Sequence, residues 1–244
     1  MTLSPRPVLV LDVLGTLVDQ AGSLVSQVHE AAGLDADAAR DVVATWLGRV
    51  ADRERAVVEG RRAFAPSGVL DREVLAGLAA EGALPASVVD RLATAAERLR
   101  PWPDSVAGVA ALARDFTVLG LSNADRRTLA ALRAGAGLRW HGALSAQDVG
   151  TYKPAPGIYA AAVAAAGEAL APGRADGPVA VEPVMVAAHA WDLRAAAAAG
   201  MRTAYVPRPQ GDDPRADDAF DLHAVDLADL HDRLLAGEPS ARLS

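Results

Sequence analysis

The alternation of short apolar strands with helices in the second half of the chain most constrains its fold. Strands are predicted at 116–121, 143–144, 184–187 and 203–206, and helices at 105–114, 125–134, 156–169 and 192–199. An earlier strand is predicted at 8–12, where VLVLD lacks the polar alternation of a half-exposed strand. Such a series forms a parallel sheet with helices on both faces. The sequence therefore predicts an α/β fold with a Rossmann-like parallel sheet as its core.

A block that is almost wholly helical in composition separates the first strand from this series, over residues 24–99. A long helix is predicted at 36–59 with Asp35 as its N-cap, because aspartate accepts hydrogen bonds from the first helical amides. A second helix is predicted to be capped by Asp71 and to end at Gly82. The block has no convincing strand, so we interpret it as a helical cap inserted into the core.

The domain boundaries follow from this insertion. The Rossmann-like catalytic core is predicted to comprise residues 1–18 and 104–244, and the helical cap residues 19–103. Trp102, between two prolines, marks the hinge at which the chain returns to the core. A surface loop is predicted at 174–183, where Gly, Pro and Asp are concentrated.

The composition excludes several classes of protein. With 51% apolar residues, a chain of 244 residues can bury a sizeable core. The absence of cysteine excludes disulfides, thiolate metal sites and thiol nucleophiles. A net charge of −7 with scattered acidic residues offers no basic cluster for nucleic acid. We therefore expect a small-molecule substrate and no nucleic-acid partner, and a homodimer stays open.

The sequence also lacks the features of membrane and secreted proteins. No segment approaches the roughly 20 apolar residues that are needed to span a bilayer. The first residues lack the charged start and the long apolar stretch of a signal peptide. The sequence thus predicts a cytoplasmic protein without a membrane partner.

Polar residues follow the predicted strands in four places. They are Asp12 with Thr16, Ser122 with Asn123, Thr151-Tyr152-Lys153, and His189 with Asp192. Ligands of open parallel sheets bind outside the carboxyl ends of the strands, so these residues are predicted to form one site. A carboxylate that ends a buried strand can be nucleophilic if nearby groups keep it ionised, which makes Asp12 the candidate nucleophile.

Each of these residues also has a purely structural interpretation. A lone Asp12 is more often a helix cap or a turn-former, and Ser122 with Asn123 could form an N-cap. Lys153 could be a solvated loop lysine, and Asp192 could merely cap the helix that follows it. Their joint placement at one edge of the sheet favours the functional interpretation.

Four motifs carry a resemblance to a known family. They are LDVLGTLVD at 11–19, LSN at 121–123, YKPAPGIY at 152–159 and AAHAWD at 187–192. In this order they resemble the four motifs of the haloacid dehalogenase superfamily, and most closely those of the L-2-haloacid dehalogenases of type II. The resemblance covers nearly the whole chain and includes the helical cap after the first motif.

The resemblance implies a covalent mechanism. Asp12 would attack the substrate carbon and displace halide, leaving an aspartyl ester. Thr16 would orient the Asp12 carboxylate, and Lys153 would keep it ionised. Asp192 would belong to the network that positions the hydrolytic water.

The resemblance also implies how the substrate is bound. Ser122 would bind the substrate carboxylate, and Asn123 would help to hold the leaving halide. Tyr159 would pack or hydrogen-bond at the site, and Trp191 would line its apolar pocket. Leu14 occupies a position at which the dehalogenases usually carry an aromatic residue.

Two positions favour a dehalogenase over a phosphatase of the same superfamily. The phosphatases carry a second aspartate two residues after the nucleophile, which protonates an alkoxide leaving group. Here that residue is Leu14, and a halide needs no proton. The fourth motif holds one carboxylate, Asp192, whereas a hard divalent cation prefers several oxygen ligands. We therefore expect neither a metal ion nor another cofactor.

Three further positions depart from the dehalogenase pattern. Leu47 follows Trp46 where the family carries an arginine that grips substrate and halide. Ala187 and His189 stand in place of the family's serine and asparagine. We expect Arg49 or Arg53 to supply the missing cation from the cap.

His189 is predicted to replace the lost polar group of the water network and to act as general base, with a hydrogen bond from its ring to Asp192. Packing beside Trp191 alone is the structural alternative. Two other functions stay open for the chain as a whole. One is a related hydrolase that acts on a phosphate or another ester, and the other is a non-catalytic binding protein with this fold.

Overall fold

The centre of the computed structural model, which describes residues 7–170 and 181–237, is a six-stranded parallel sheet. The strands are β1 (Val8–Asp12), β2 (Val18–Asp19), β3 (Arg100–Pro101), β4 (Thr117–Ser122), β5 (Gly142–Ser145), β6 (Val184–Ala187), β7 (Arg202–Tyr205) and β8 (Leu222–His223). The sheet order is β5-β4-β1-β6-β7-β8, and β2 pairs antiparallel with β3 outside it. The predicted α/β fold with a parallel sheet is confirmed.

The helices alternate with the strands after β3 and fill the chain between β2 and β3. They are α1 (Gln20–Ala32), α2 (Ala36–Val58), α3 (Ser67–Ala80), α4 (Val89–Leu92), α5 (Ser105–Asp115), α6 (Arg126–Gly135), α7 (Ala146–Val149), α8 (Pro156–Leu170), α9 (Ala190–Ala198) and α10 (Leu227–Ala236). Short 3-10 turns at Ala86–Val88 and Ala95–Arg98 complete the segment before β3. Part of the loop predicted at 174–183, and the ends of the predicted core, lie outside the described residues.

The apolar composition of β1 explains its place in the middle of the sheet. All five of its residues are buried, and it pairs with β4 on one side and β6 on the other. Asp12 is the last residue of the strand and stands opposite Leu121 of β4 in the register. The parallel arrangement therefore brings the ends of β1, β4 and β6 to one edge.

Several predicted boundaries agree with the structure, and one N-cap is wrong. β1 and β6 have the predicted bounds, and Asp35 caps α2 by accepting a hydrogen bond from the Ala38 amide at 2.9 Å. Asp71 does not cap a helix. It lies inside α3, which begins four residues earlier at Ser67, and its carboxylate accepts a hydrogen bond from the indole of Trp46 at 2.7 Å.

Trp102, which was predicted to mark a hinge between cap and core, is hydrogen-bonded to the turn after β1. The Trp102 amide donates to the Leu17 carbonyl at 3.1 Å, and its indole donates to the Gly15 carbonyl at 3.0 Å. The division into a core and a cap at residues 19 and 103 stays a prediction. Within the two described ranges, the structure contains no helix that is both long and apolar enough to cross a bilayer.

Candidate active site

Asp12 lies at the floor of the site with both carboxylate oxygens engaged. The Thr16 hydroxyl donates to Oδ2 at 2.6 Å, and the Lys153 ammonium donates to Oδ1 at 2.8 Å. Burial raises the pKa of this carboxyl, but the charge of Lys153 and the contact with His189 lower it more. Its pKa is consequently well below the ordinary value, and Asp12 is ionised at neutral pH.

Lys153 bridges two carboxylates, that of Asp12 at the end of β1 and that of Asp192 in the first turn of α9. Its ammonium lies 2.8 Å from Asp12 Oδ1 and 2.7 Å from Asp192 Oδ2, and it is buried. Burial lowers the pKa of Lys153, but the two negative charges raise it above its usual range. The Tyr159 hydroxyl donates to the remaining oxygen of Asp192 at 2.6 Å. A buried lysine thus remains charged because two fixed carboxylates face it.

Thr16 holds the nucleophile through the turn after β1. Its hydroxyl donates to Asp12 and accepts a hydrogen bond from the Ala188 amide at 2.9 Å, so it links the ends of β1 and β6. The turn requires Gly15, whose φ is 84° and whose added Cβ would lie 2.5 Å from the ring of His189. Thr16 and His189 are therefore placed by the same turn.

His189 contacts Asp12 and not Asp192, which corrects the predicted partner. Its Nδ1 lies 3.5 Å from Asp12 Oδ2, and its ring centroid lies 5.9 Å from that of Trp191. The two oxygens of Asp192 accept hydrogen bonds from Lys153 and Tyr159 instead. Burial lowers the pKa of His189, but the hydrogen bond and charge of Asp12 raise it more, so the net pKa is above the ordinary value.

A cavity of about 210 Å³ opens above Asp12. The lining residues come from the strand ends, from the start of α1 and from one face of α2: Asp12, Leu14, Gln20, Leu47, Val50, Ala51, Glu54, Ser122, Asn123, Lys153, His189 and Trp191. Seven of the predicted site residues are among them. The volume suits a small organic molecule and no polymer.

Ser122 and Asn123 reach the cavity from the end of β4. The Ser122 hydroxyl accepts a hydrogen bond from the Ala124 amide at 3.1 Å. The Asn123 side-chain oxygen accepts from the Lys153 amide at 2.8 Å, and its nitrogen donates to Glu54 Oε2 at 2.8 Å. Asn123 is thereby held between the loop that carries Lys153 and helix α2.

Glu54 is a cavity residue that the sequence reasoning missed. Burial raises its pKa to about 8. The hydrogen bond from Asn123 lowers the pKa, and the charge of Asp71 raises it. Glu54 lies seven residues after Leu47, with Val50 between them, which is the spacing of one helical face. That spacing, read from the position after Trp46, was the signal that could have identified it.

The structure does not bring Arg49 and Arg53 to the cavity, contrary to the expectation from sequence. With 3.6 residues per turn, both lie on a different face of α2 from Leu47 and Glu54. Arg49 forms hydrogen bonds of 2.7 and 2.8 Å with Glu81, and Arg53 lies 3.6 Å from Glu73. Neither residue is among those that line the cavity.

Three predicted site residues lie behind the cavity wall and act on the residues that line it. Thr16, Tyr159 and Asp192 are buried. Thr16 is hydrogen-bonded to Asp12 and Asp192 to Lys153, while Tyr159 is hydrogen-bonded to Asp192. Tyr159 was predicted as a substrate contact, but its hydroxyl is turned to Asp192. In the ranges 7–170 and 181–237 no three His, Asp or Glu side chains are grouped to hold a metal ion, and the Lys153 ammonium lies between the two carboxylates.

Comparison with known proteins gives consistent matches along the chain. The family model of the haloacid dehalogenase-like hydrolases matches residues 7–200. An L-2-haloacid dehalogenase of known structure is 31% identical, with a TM-score of 0.81 over 96% of this chain and 100% of that chain. A defluorinating L-2-haloacid dehalogenase is 30% identical, with a TM-score of 0.80 over 94% and 95%. The L-2-haloacid dehalogenase from Xanthobacter autotrophicus is 25% identical, with a TM-score of 0.75 over 96% and 99%. No curated protein matches the sequence.

Proposed function

The chain belongs to the haloacid dehalogenase-like hydrolases, and from this membership and the surroundings of Asp12 we propose that it hydrolyses the carbon–halogen bond of a small organic halide. The substrate is of the 2-haloacid class, as the acid or as a derivative of its carboxyl group. The observation that carries the proposal is an ionised Asp12 on the floor of a small cavity, hydrogen-bonded to Lys153 at 2.8 Å. Leu14, two residues later in the sequence, also lines this cavity. The matched structures are named as L-2-haloacid dehalogenases.

In the first step Asp12 attacks the carbon that bears the halogen. A carbon–oxygen bond forms, the carbon–halogen bond breaks, and the halide leaves with the bonding electron pair. The halide needs no proton, so Leu14 is compatible with this leaving group, whereas an alkoxide would require an acid at that position. Asn123 and Trp191 line the cavity, and they would contact the departing halide.

In the second step a water molecule adds to the ester carbonyl of Asp12, and His189 accepts its proton. As the tetrahedral intermediate collapses, the product oxygen leaves Asp12 and takes the proton back from His189, which gives the alcohol. The Asp12 carboxyl then loses its remaining proton, and the carboxylate is regenerated. The sum is one organic halide and one water converted to one alcohol, one halide ion and one proton. Lys153 stays paired with Asp192 at 2.7 Å throughout, so a buried charge is never left without a partner.

The 3.5 Å contact between His189 and Asp12 adjusts the histidine to both steps. While Asp12 is a carboxylate, its charge and hydrogen bond raise the pKa of His189. Esterification of Asp12 removes that negative charge. Burial and the charge of Lys153 still lower the pKa of His189, and the charge of Asp192 is then the remaining effect that raises it. Esterification of Asp12 therefore lowers the pKa of His189 and favours the unprotonated imidazole at the stage at which the water must lose a proton.

A halide-release assay tests the proposal. The panel contains fluoro-, chloro- and bromo-derivatives of acetate and propionate, their amides, and a phosphate monoester. We expect halide from at least one halogenated compound and none with Asp12→Asn. Hydrolysis of the phosphate alone would assign the site to phosphatase chemistry.

A further inference from the structure

Every cation at the cavity is already paired with a carboxylate of the protein. Among the residues that line the cavity in the described part of the chain, Lys153 is the one permanently charged cation. It lies 2.8 Å from Asp12 and 2.7 Å from Asp192. His189, the other basic group, faces Asp12 at 3.5 Å. Both basic groups of the cavity thus already face carboxylates of the protein before any substrate enters.

The wall opposite Asp12 adds no cation. The face of α2 that lines the cavity presents Leu47, Val50, Ala51 and Glu54, while Arg49 is bound to Glu81 outside it. A substrate carboxylate would therefore become an extra anion in a partly closed site, beside Asp12. An anion that is removed from water without a compensating partner is costly.

The remaining polar groups of the cavity suit an uncharged ligand. Gln20, Ser122 and Asn123 offer neutral donors and acceptors, and Glu54 is largely protonated at neutral pH because burial raises its pKa to about 8. A primary amide presents two N–H donors and one acceptor, which complements carboxyl, amide and hydroxyl groups of this kind.

From this charge balance we infer that the preferred substrate is a 2-haloamide, in which the group beside the reacting carbon is uncharged, and not the 2-haloacid anion. The inference rests on the proposed function, since it names the substrate class of the same reaction. The amide group is unchanged by the reaction: one 2-haloamide and one water give one 2-hydroxyamide, one halide ion and one proton.

A matched substrate pair tests the inference. (S)-2-chloropropionamide and (S)-2-chloropropionate have nearly the same shape and differ in charge. For the wild-type enzyme at pH 7 we expect kcat/KM to be about tenfold or more higher for the amide, a discrimination within the range that polar sites achieve. Equal or faster turnover of the acid would overturn the inference while leaving the proposed function intact.

A cation placed on the cavity wall should reverse the preference. Leu47→Arg adds a positive charge opposite Asp12, and Leu47→Met, which has similar volume and no charge, is the control. We expect the ratio of acid to amide turnover to rise by about tenfold or more in Leu47→Arg and to stay at the wild-type value in Leu47→Met. An unchanged ratio in both variants would contradict a selectivity based on charge.

A binding measurement distinguishes a failure of this inference from a failure of the proposed reaction. If no compound of the halogenated panel releases halide, the proposed function fails, and lactamide and lactate are then compared as halogen-free ligands by NMR titration of the wild-type protein. Tighter binding of lactamide supports the choice of an uncharged ligand. Tighter binding of lactate, or binding of neither, overturns it.

Discussion

Glu54 on helix α2 accepts a hydrogen bond of 2.8 Å from the side chain of Asn123 at the end of β4. The contact joins the helical segment between β2 and β3 to the edge of the sheet that holds Asp12. It also places a carboxyl group with a pKa of about 8 in the cavity wall. The protonation of Glu54 should therefore influence both stability and the charge of the site.

The first prediction concerns this carboxyl. The folded protein keeps the Glu54 proton up to about pH 8, whereas the unfolded chain releases it near the ordinary value of 4.5. The resulting stabilisation is complete below pH 4.5 and is lost as the pH rises through 8. Glu54→Gln keeps a hydrogen-bond acceptor for Asn123 without the titration. Between pH 6 and pH 9 we expect the wild-type Tm to fall roughly 5–10 °C further than that of the variant.

Thermal unfolding at both pH values provides the measurement. Glu30→Gln, at an exposed position, is the control and should follow the wild type. Parallel Tm curves for Glu54→Gln and the wild type would show that the carboxyl is not held protonated by the fold.

The second prediction concerns the nucleophile. Asp12→Asn should abolish halide release without unfolding the protein, because a neutral amide cannot displace a halide and return as a carboxylate. During a single turnover of the wild type in H₂¹⁸O, the label should enter Asp12 and reach the product only in later cycles. Mass spectrometry of the peptide that contains Asp12 gives the readout.

Asp41→Asn, the same substitution at an exposed position of α2, controls for the change itself and should retain full activity. Label that appears directly in the product of the first turnover would exclude an aspartyl ester.

The third prediction concerns metal dependence. The Lys153 ammonium lies between Asp12 and Asp192, where a cation shared by the two carboxylates would have to bind. Displacing it would leave a buried lysine without partners, which is costly. Activity should consequently survive an excess of chelator. A loss of activity that Mg²⁺ restores would count against this description of the site.

The positions of the candidate catalytic residues were predictable because they depend on local rules. Asp12 ends an apolar strand, Ser122 and Lys153 follow elements of the βαβ series, and parallel strands end at one edge. Residues such as these need only the order of the elements to be placed together.

The contribution of α2 to the cavity could not be derived in the same way. Arg49 and Glu54 lie on one helix, and the period of 3.6 puts them on different faces, but both faces carry charged residues. The face turned to Asp12 is decided by packing between helices, as in the burial of Trp46 against α3 through Asp71. The sequence therefore favoured Arg49 as a cavity residue because of its charge, whereas tertiary packing brings Glu54 to the cavity.

The fourth prediction follows from that correction. Arg49→Ala and Arg53→Ala should leave kcat and KM unchanged, because both guanidinium groups are paired with glutamates of α3 or its C-terminal cap. Partly exposed ion pairs contribute little, so only a small loss of stability is expected for each variant. Steady-state kinetics and urea unfolding measure the two quantities. A rise in KM for either variant would mean that helix α2 rotates when the substrate binds and brings that arginine to the cavity.

The last prediction separates the two chemical steps through His189. Displacement of halide needs an ionised Asp12, which Lys153 and Thr16 maintain at 2.8 and 2.6 Å without the imidazole. Hydrolysis of the ester needs a base, and His189 is the basic group that faces Asp12 from the fourth motif, at 3.5 Å. His189→Ala should therefore release one halide per active site and then slow by a factor of about 10²–10⁴. Intact-protein mass spectrometry should show the ester accumulating on Asp12.

Two further variants distinguish base catalysis from simple positioning. His189→Gln retains a side chain that can hydrogen-bond but cannot accept a proton near neutral pH, so it should stall after the burst as the alanine variant does. His223→Ala removes an exposed histidine of β8 and should turn over normally. In the wild type, ester hydrolysis should accelerate as the pH rises through the pKa of His189 in the esterified enzyme, because only the unprotonated imidazole accepts a proton. Normal turnover by His189→Gln would show that the ring holds the water by hydrogen bonding, and the proton must then leave by another route.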